Sequence, residues 1–221
     1  MTFSPDDIKQ YDDVLYEDVR ASVFKFLKSP GWESGWKSNS KTDTFSFMHK
    51  HFAGYRKSES SERYDCADEL KTNAPLIFGM WEHVSDAYLQ GHRLVRCYAN
   101  GMPYGSDGSL HIDDKTGNGY TSVYYPNETW SPNWGGCTEF YDQPETNVIR
   151  SIDPQPNRMI VFPGKMKHVG RGIARQCPVP MRITLMFKTD IAKNIPKDIP
   201  EWEPDPLDIA TEAHSPPQWI G

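Results

Sequence analysis

From His92 onward the chain consists of short runs rich in β-branched and aromatic residues. Clusters of glycine, proline, asparagine and aspartate separate these runs, which is the pattern of strands joined by turns. In chain order the runs are RLVRCYAN, YTSVYYP, GCTEFYD, RMIVFP and RITLMFKTD. Many short strands in succession predict an antiparallel β barrel or a double-sheet jelly roll.

The part of the chain before this series has a helical pattern in two places. Apolar residues within 12–28 recur at helical spacing between an acidic start and a basic end, which predicts a first helix. A second helix is predicted from about Asp68 to Gln90, with Gly91 as its stop. Residues 33–65 are polar and predict a loop, apart from a short aromatic piece at Phe45–Phe52.

These patterns predict one domain over 1–221, mainly β with flanking α-helices. Residues 1–91 form its helical and loop part, and 92–190 form the β core that the N-terminal helices buttress. Residues 191–221 are a proline-rich acidic tail, read as an extended surface segment or a partly disordered one. A chain of this length buries a sizeable core without disulfides.

The charge balance bears on partners. The chain has 24 Lys and Arg against 30 Asp and Glu, a formal net charge of −6. Nucleic acid is not expected as a partner, because binding it needs a basic surface, and a basic or neutral partner is favoured. The four cysteines form no CxxC pair, no apolar run approaches a membrane span, and the first residues lack a secretory pattern. We therefore expect a soluble cytoplasmic protein, and the sequence predicts no oligomeric state.

Two histidines and an aspartate form a candidate metal site. His111 and Asp113 stand two apart in SLHIDD, so on a strand both side chains leave the same face. His168 comes just after the strand-like run that ends at Phe162–Pro163. Two imidazoles and a carboxylate are the facial-triad ligands of non-heme iron(II), which leave positions open for substrate and oxygen. An HxD triplet alone is common by chance, and His168 alone is equally a surface histidine.

Arg182 strengthens the prediction that the two histidines and the aspartate form a metal site. It lies inside the apolar run MRITLMF, where a buried charge is costly unless it is paired. A carboxylate would pair with it through two parallel hydrogen bonds, and Thr184 on the same strand face adds a hydroxyl donor. A metal triad beside a buried carboxylate receptor predicts a site for a keto acid.

The motifs HID, WGGCTEFYD, KH and RIT resemble the 2-oxoglutarate/Fe(II)-dependent oxygenase superfamily, and within it the prolyl 4-hydroxylase branch. The resemblance covers about Arg93 to Asp190. It implies a double-stranded β-helix core, a cupin-like jelly roll, with Fe(II), 2-oxoglutarate and O2, and with ascorbate in support. It also implies that the catalytic iron ligands are His111, Asp113 and His168, and that Arg182 and Thr184 bind the co-substrate.

Two tyrosine positions follow from the same resemblance. Tyr98 holds the place of a strand tyrosine that contacts the co-substrate or the metal end of the pocket. Tyr124 or Tyr125 is similar to the tyrosine that donates to the distal carboxylate of 2-oxoglutarate. Strand side chains alternate, so one of the two faces inward, and the face shared with Thr121 and Val123 favours Tyr125. An ordinary barrel-filling aromatic is the alternative reading at each position.

The implied reaction is hydroxylation of an unactivated C–H bond, coupled to decarboxylation of 2-oxoglutarate to succinate and CO2. The branch favours a peptidyl proline or a proline-like amino acid, and a small molecule or a nucleobase is the alternative within the class. Trp130 and Trp134 either wall a substrate cleft or cap the barrel end. The loops Tyr104–Gly108 and Lys115–Gly119 are expected to act as lids.

Two readings from other classes stay open. A non-catalytic cupin-like module that binds a metal or a small ligand explains the triad but not Arg182. A structural β-sandwich makes every histidine incidental. The remaining histidines are not predicted as ligands: His49, His51, His83, His92 and His214.

Overall fold

The computed structural model describes residues 3–39, 42–55, 63–115 and 118–191. Within these ranges there are three helices, α1 (Glu17–Lys28), α2 (Ala67–Asn73) and α3 (Pro75–Tyr88). The strands are β1 (Lys9–Tyr11), β2 (Glu33–Trp36), β3 (Phe47–Gly54), β4 (His92–Pro103), β5 (Tyr120–Tyr125), β6 (Thr138–Tyr141), β7 (Val148–Ile152), β8 (Arg158–Pro163), β9 (His168–Gly170) and β10 (Met181–Ile191).

The strands form two antiparallel sheets. The larger sheet has the order β1-β8-β5-β10-β4-β3-β2, and the smaller one has the order β7-β6-β9. Each of the five predicted runs forms a strand, so the predicted class, mainly β with flanking helices, is confirmed. The strands β1, β2 and β3 come from the N-terminal part and pair within the larger sheet, so that part is not only helix and loop.

The larger sheet is buried on both faces. On one face, Leu185 and Phe187 of β10 pack with helix residues such as Leu27 and Ile77. On the other face, Met186 packs towards the smaller sheet. Because side chains alternate along a strand, a strand between two packed layers is apolar at almost every position. This explains the three consecutive apolar residues Leu185, Met186 and Phe187 at the centre of RITLMFKTD.

We expect Leu27→Ala to lower the free energy of unfolding by about 2–5 kcal/mol, because it leaves a cavity between α1 and the sheet. Leu27 is fully buried in the helix-side cluster. The matched control is Lys25→Ala on the exposed face of the same helix, with an expected change within about 0.5 kcal/mol. Urea unfolding of both variants measures the difference, and equal midpoints would contradict the packing of α1 described above.

Both predicted helices have different bounds in the structure. The first begins at Glu17 and not at residue 12. The chain before it, Lys9–Tyr11, forms a strand that pairs with β8. The second is two helices, since the chain breaks at Ala74, where φ is −148° and ψ is 72°. Proline lacks an N–H and disfavours helical geometry in the residue before it, so Pro75 starts a new helix.

The prediction of a loop over residues 33–65 was wrong at β2, and the aromatic piece predicted at Phe45–Phe52 largely coincides with β3. Strand β3 pairs with β4 and carries polar residues that are nevertheless buried, among them His49 and Lys50. The His49 ring stacks on Trp36 at 3.8 Å, and Lys50 Nζ donates to the Ser29 carbonyl at 2.9 Å. Polar side chains that find partners inside the fold look like loop residues in the sequence alone.

The predicted tail, residues 191–221, begins at Ile191, which is the last residue of β10, and from residue 192 on it lies outside the described residues. The prediction of a single domain over the whole chain therefore stays a prediction. None of the helices in the described ranges is long and apolar enough to cross a membrane.

Candidate metal and co-substrate site

His111 and His168 are held together by the backbone. His111 lies in a single antiparallel bridge with His168, whose two N–H···O bonds are 3.1 and 3.0 Å long. Asp113 is fixed two residues later, because its N–H donates to the Gly164 carbonyl at 2.8 Å. At SLHIDD the structure therefore has a single β-bridge in place of a strand. That bridge still brings the segment with His111 and Asp113 next to His168.

The three predicted ligands form one cluster. One ligand atom from each of His111, Asp113 and His168 lies within 4.8 Å of the other two. Asp113 faces both imidazoles, with Oδ1 at 3.5 Å from His111 Nε2 and Oδ2 at 3.4 Å from His168 Nε2. Its side chain is 4 % exposed. Such a cluster is compact enough to close around one ion.

The hydrogen bonds of the histidines orient their metal-binding nitrogens. Nδ1 of His111 lies 2.8 Å from the Ser109 carbonyl oxygen, and Nδ1 of His168 lies 2.9 Å from that of Met166. A carbonyl oxygen only accepts, so each Nδ1 carries a proton, and Nε2 is the nitrogen of each ring that is placed to bind a metal ion. Such an outer hydrogen bond fixes the tautomer in metal-binding histidines.

The cluster has the protonation states that a metal site needs. Burial alone would raise the pKa of Asp113, but Lys188 and the two histidines outweigh it and hold that pKa well below its ordinary value. Burial lowers the pKa of His168 and keeps its imidazole neutral. Metal ligands must be deprotonated, so the cluster is prepared for a cation without a large rearrangement.

Lys188 and Thr121 fix the orientation of the Asp113 carboxylate. Lys188 Nζ donates to Oδ1 at 2.7 Å, and Thr121 Oγ1 donates to Oδ2 at 2.7 Å. The sequence interpretation gave no role to either residue. Alternation would have indicated Lys188, because Arg182, Thr184, Met186 and Lys188 follow one another on one face of β10.

The low pKa of His168 has a consequence for stability. Histidine in the unfolded chain takes up a proton near pH ~6.5, whereas buried His168 does not. Stability of the metal-free protein should therefore fall as the pH drops through that value, because the unfolded state binds more protons. Burial lowers the pKa of His92 as well, so it contributes with the same sign.

We expect His168→Gln to flatten this dependence, with a further flattening in His168→Gln/His92→Gln. Urea midpoints of the metal-free proteins at about pH 7.5 and about pH 5.5 measure it, since these values bracket the ordinary histidine pKa. A slope that is the same in all three proteins would contradict the burial of a neutral His168.

Arg182 is buried at the same cavity. Its residue exposure is 3 %, and Nη2 donates to Thr138 Oγ1 at 2.9 Å. Its guanidinium carbon lies 5.5 Å from the centre of the Tyr125 ring. Among the described residues no carboxylate lies within ion-pair distance of it, its Nε has no hydrogen-bond partner, and burial lowers its pKa. A buried cation in this state fits an anionic ligand.

The tyrosines divide between the two faces of β5, as alternation predicts. Tyr125 faces the site, where its hydroxyl lies 2.8 Å from Thr138 Oγ1. Tyr124 points to the helix side and donates to Asn157 Oδ1 at 3.1 Å. Tyr98 and Thr184 line the cavity directly. Thr138, which contacts both Tyr125 and Arg182, lies in the GCTEFYD run, but the sequence interpretation did not single it out.

The two tryptophans do not line this cavity. Trp130 packs against Trp134 at 5.9 Å and donates to the Gly135 carbonyl at 3.0 Å. Gly136 has φ 77°, and a Cβ there would come within 2.9 Å of Trp130 and 3.0 Å of Arg182. The glycine thus lets the Trp130 ring and the Arg182 side chain approach closely. This position fits the interpretation that Trp130 and Trp134 cap the barrel end better than the interpretation that they wall a substrate cleft.

Of the two predicted lid loops, one is described completely. In Tyr104–Gly108, the Gly108 N–H donates to the Gly170 carbonyl at 3.0 Å, and Asp107 accepts from the Gly172 N–H at 2.9 Å. The loop is therefore tied to the strand end beside His168. In Lys115–Gly119, residues 116 and 117 lie outside the described ranges, and its role as a lid stays a prediction.

A single cavity of about 640 Å³ connects these groups. Its wall includes the His–Asp–His cluster, Arg182, Thr184 and Tyr98. Strands β2, β3 and β4 also contribute to its wall, with Trp36, Phe47 and Arg96 among the lining residues. The cavity thus holds a candidate cation site and a carboxylate receptor in one volume.

Comparison with known proteins agrees with this geometry. Residues 95–187 match the model of the 2OG-Fe(II) oxygenase superfamily. A sequence search of curated proteins finds no relative. Similar solved structures include an oxidoreductase of the 2OG-Fe(II) oxygenase family from Burkholderia pseudomallei, at 14 % identity and a TM-score of 0.63 over 84 % of this chain and 86 % of that one.

Two prolyl hydroxylases are also similar in fold. A Pseudomonas putida prolyl-4-hydroxylase is 13 % identical, with a TM-score of 0.53 over 83 % of this chain and 92 % of that one. A Trichoplax adhaerens prolyl hydroxylase, solved with a hypoxia inducible factor oxygen degradation domain peptide fragment, is 16 % identical, with a TM-score of 0.55 over 86 % of each chain.

The match to the 2OG-Fe(II) oxygenase superfamily model covers residues 95–187, and the fold of the chain is similar to that of solved 2OG-Fe(II) oxygenases. The resemblance stated from the sequence motifs and the jelly-roll class are confirmed. Proteins of this family use Fe(II), 2-oxoglutarate and O2, and the His–Asp–His cluster fits that requirement.

Proposed function

We propose that this protein is an Fe(II)- and 2-oxoglutarate-dependent dioxygenase that hydroxylates an unactivated C–H bond. Arg182 carries the proposal, because it is a buried cation with no carboxylate in ion-pair range among the described residues. It lines the same cavity as the His–Asp–His cluster. A diacid that reaches from the cluster to Arg182 would satisfy both groups, whereas a module that binds only a metal leaves Arg182 unexplained.

The donor set supports iron(II) as the metal. Two imidazoles and one carboxylate, from His111, His168 and Asp113, suit a non-heme ferrous ion and leave part of its coordination sphere open. When bound, iron and 2-oxoglutarate supply the oxidising chemistry, with release of succinate and CO2. Lys188 and Thr121 hold both carboxylate oxygens of Asp113, so its orientation is set before the ion arrives.

The residues around Arg182 complete the end of the cavity that would bind the co-substrate. Thr138 accepts from Arg182, and Tyr125 supports the guanidinium with its ring and bonds to Thr138. These contacts fix the guanidinium fork, which then meets a carboxylate with two parallel hydrogen bonds. Thr184, two residues along the same strand face, offers a hydroxyl, and Tyr98 lies further along the wall, towards the acceptor.

For the acceptor we propose a proline ring, in a peptide or in a free proline-like amino acid. The fold similarity to two prolyl hydroxylases supports this choice. The cavity wall also contains two aromatic rings, those of Trp36 and Tyr98, whose centres lie 6.2 Å apart. Rigid aromatic faces pack well against a proline ring.

The experiment is a measurement of succinate formed from 2-oxoglutarate with iron(II) and ascorbate. Prolyl peptides, free proline-like amino acids and nucleosides are the three sets of acceptors. We expect stimulation by a member of the first two sets, with oxygen incorporated into that acceptor. Stimulation by nucleosides alone would replace the acceptor class, and absence of any succinate would favour a non-catalytic cupin-like module.

We also propose a cytoplasmic location. All four cysteines are free thiols in the structure, which supports a reducing compartment. Burial raises the pKa of Cys66 and Cys97 well above its ordinary value, so these two behave as packed apolar groups and not as reactive thiols.

A further inference from the structure

The cavity has a basic wall although the chain as a whole is acidic. Seven lysine and arginine side chains line its described part, against the two aspartates Asp113 and Asp114. The formal charge of the whole chain is −6. A cleft lined by one sign of charge concentrates ligands of the opposite sign. The expectation of a basic or neutral partner, which came from the net charge, therefore does not extend to a ligand of this cavity.

Lys188 is a cation of this wall that contacts the candidate metal cluster. Its Nζ donates to Asp113 Oδ1 at 2.7 Å, and its side chain is 17 % exposed. In the pairing of β10 with β5, Lys188 lies opposite Thr121, which donates to the other oxygen of the same carboxylate. Lys188 is therefore a close neighbour of whatever occupies the cluster. Arg182 lies far from it on the same strand, at a backbone distance of ~20 Å.

The ammonium of Lys188 has more donors than it uses. A lysine ammonium carries three N–H donors. In the described part of the chain Lys188 makes one hydrogen bond, to Asp113. The centre of the Tyr98 ring lies 5.5 Å from Nζ, and this cation–π contact restrains the ammonium without neutralising its charge. Two donors therefore remain for a ligand of the cavity.

The charges at the cluster leave one positive charge unbalanced under the proposed function. A ferrous ion carries two positive charges, and Arg182 and Lys188 carry one each. Asp113 and a 2-oxoglutarate dianion together carry three negative charges. Asp113, which balances Lys188 in the structure, would then also ligate the ion. One further monoanion beside Lys188 balances these groups, whereas a phosphate dianion leaves them negative.

We propose that Lys188 binds a carboxylate of the acceptor, so that the enzyme oxidises a small carboxylic acid with no protonated amine beside that group. A proline at the C-terminus of a peptide is such an acid, because its nitrogen is acylated. An internal proline lacks the carboxylate, and free proline adds an ammonium close to Lys188 and the ion. The proposal rests on the proposed function and narrows its acceptor. Tyr98, next to the Lys188 ammonium, gives the proline ring an aromatic face to pack against.

The test measures binding and does not depend on turnover. The protein is loaded with iron(II) and 2-oxoglutarate in the absence of oxygen, and the charge-transfer absorption of that complex is followed. N-acetylproline and N-acetylated dipeptides ending in proline are titrated, together with their carboxamides, free proline and methyl phosphate. We expect at least one acylated acid to bind about tenfold or more tightly than its carboxamide, as a charge-assisted hydrogen bond implies.

Substitutions assign the effect to Lys188. Lys188→Gln should remove the preference for the acid, and Lys188→Arg should keep part of it, because the charge remains. The matched control is Thr121→Val, which also removes one hydrogen bond of the Asp113 carboxylate but removes no charge. A weaker hold on the metal is then common to both variants, and Thr121→Val should keep the acid preference.

Measurements on the wild-type protein separate this proposal from the proposed function. If the absorption band does not form, the proposed function is wrong and this proposal falls with it. If the band forms but no acylated acid binds better than its carboxamide, the role of Lys188 is wrong and the proposed function stands. Tighter binding of free proline or of methyl phosphate than of every acylated acid contradicts the charge assignment and also overturns the proposal. These comparisons need no variant, so a folding defect does not affect them.

The variants can contradict the proposal in two further ways. An acid preference that survives in Lys188→Gln, or that is lost in Thr121→Val, would show that the ammonium does not bind the acceptor. A 2-oxoglutarate affinity that falls much further in Lys188→Gln than in Thr121→Val would assign the ammonium to the co-substrate. Each of these results overturns the role of Lys188 and leaves the proposed function in place.

Discussion

Iron(II) binding is expected to be lost in His111→Ala and in Asp113→Ala, together with all 2-oxoglutarate turnover. The wild-type protein should bind about one equivalent, because the described residues hold one cluster of this type. Either substitution leaves two ligands, too few to hold a ferrous ion in an open site. Anaerobic loading followed by metal analysis measures the stoichiometry, and succinate release measures turnover.

The matched control for this experiment is His83→Ala. His83 lies on α3, and its Nε2 lies 3.1 Å from the Val14 carbonyl oxygen, away from the cluster. Its removal should leave the iron stoichiometry unchanged. Full iron content in both cluster variants would show that the metal lies elsewhere, or that binding is nonspecific.

Arg182→Lys should raise the KM for 2-oxoglutarate by about ten- to a hundredfold, since a hydrogen bond to a charged group contributes about 1.5–3 kcal/mol. Lysine keeps the charge but lacks the planar fork that meets a carboxylate with two bonds. Iron affinity should change little, because Arg182 contacts Thr138 and Tyr125 and none of the three cluster residues. The KM is measured from succinate release, and the iron affinity separately without co-substrate.

The control for Arg182 is Arg175→Lys, an exposed arginine in the loop before β10. It should leave both quantities unchanged. An unchanged KM in Arg182→Lys, with a raised KM in Arg175→Lys or Lys165→Gln, would move the carboxylate receptor out of the buried strand.

The strand core could be predicted because its pattern is local. Each of the five runs keeps β-branched and aromatic residues together between turn residues, and each forms a strand. The alternation within YTSVYYP also placed Tyr125 on the site side and Tyr124 on the helix side. His111 and Asp113 come together as predicted, although only His111 lies in a β-bridge, with His168, and SLHIDD forms no full strand.

The features that were not predicted depend on contacts between distant parts of the chain. Lys188 and Thr121 bond to Asp113 from 75 and 8 residues away. Alternation along the strand places Lys188 on the site face, but the sequence around either residue does not show that its partner is an aspartate. Strand β3 was not predicted because the hydrogen-bond partners of His49 and Lys50 include Asn100 and Ser29, which lie elsewhere in the chain and which a local pattern cannot show. The break at Ala74 could have been predicted from Pro75, which follows it. It was missed because apolar residues recur at helical spacing through the break.

Strand β10 sets a limit on how this chain tolerates insertions and deletions. Arg182, Thr184 and Lys188 reach the cavity only because they occupy alternate positions of one strand. One residue added or removed between Arg182 and Lys188 would turn part of this set towards the helices, since a shift by one exchanges the two faces. Beyond Lys188 the pairing with β4 already contains an irregularity, where Val95 has no partner on β10. Changes of length should therefore be far less harmful after Lys188 than before it, and variation in length among functional variants should be confined to that end of the strand.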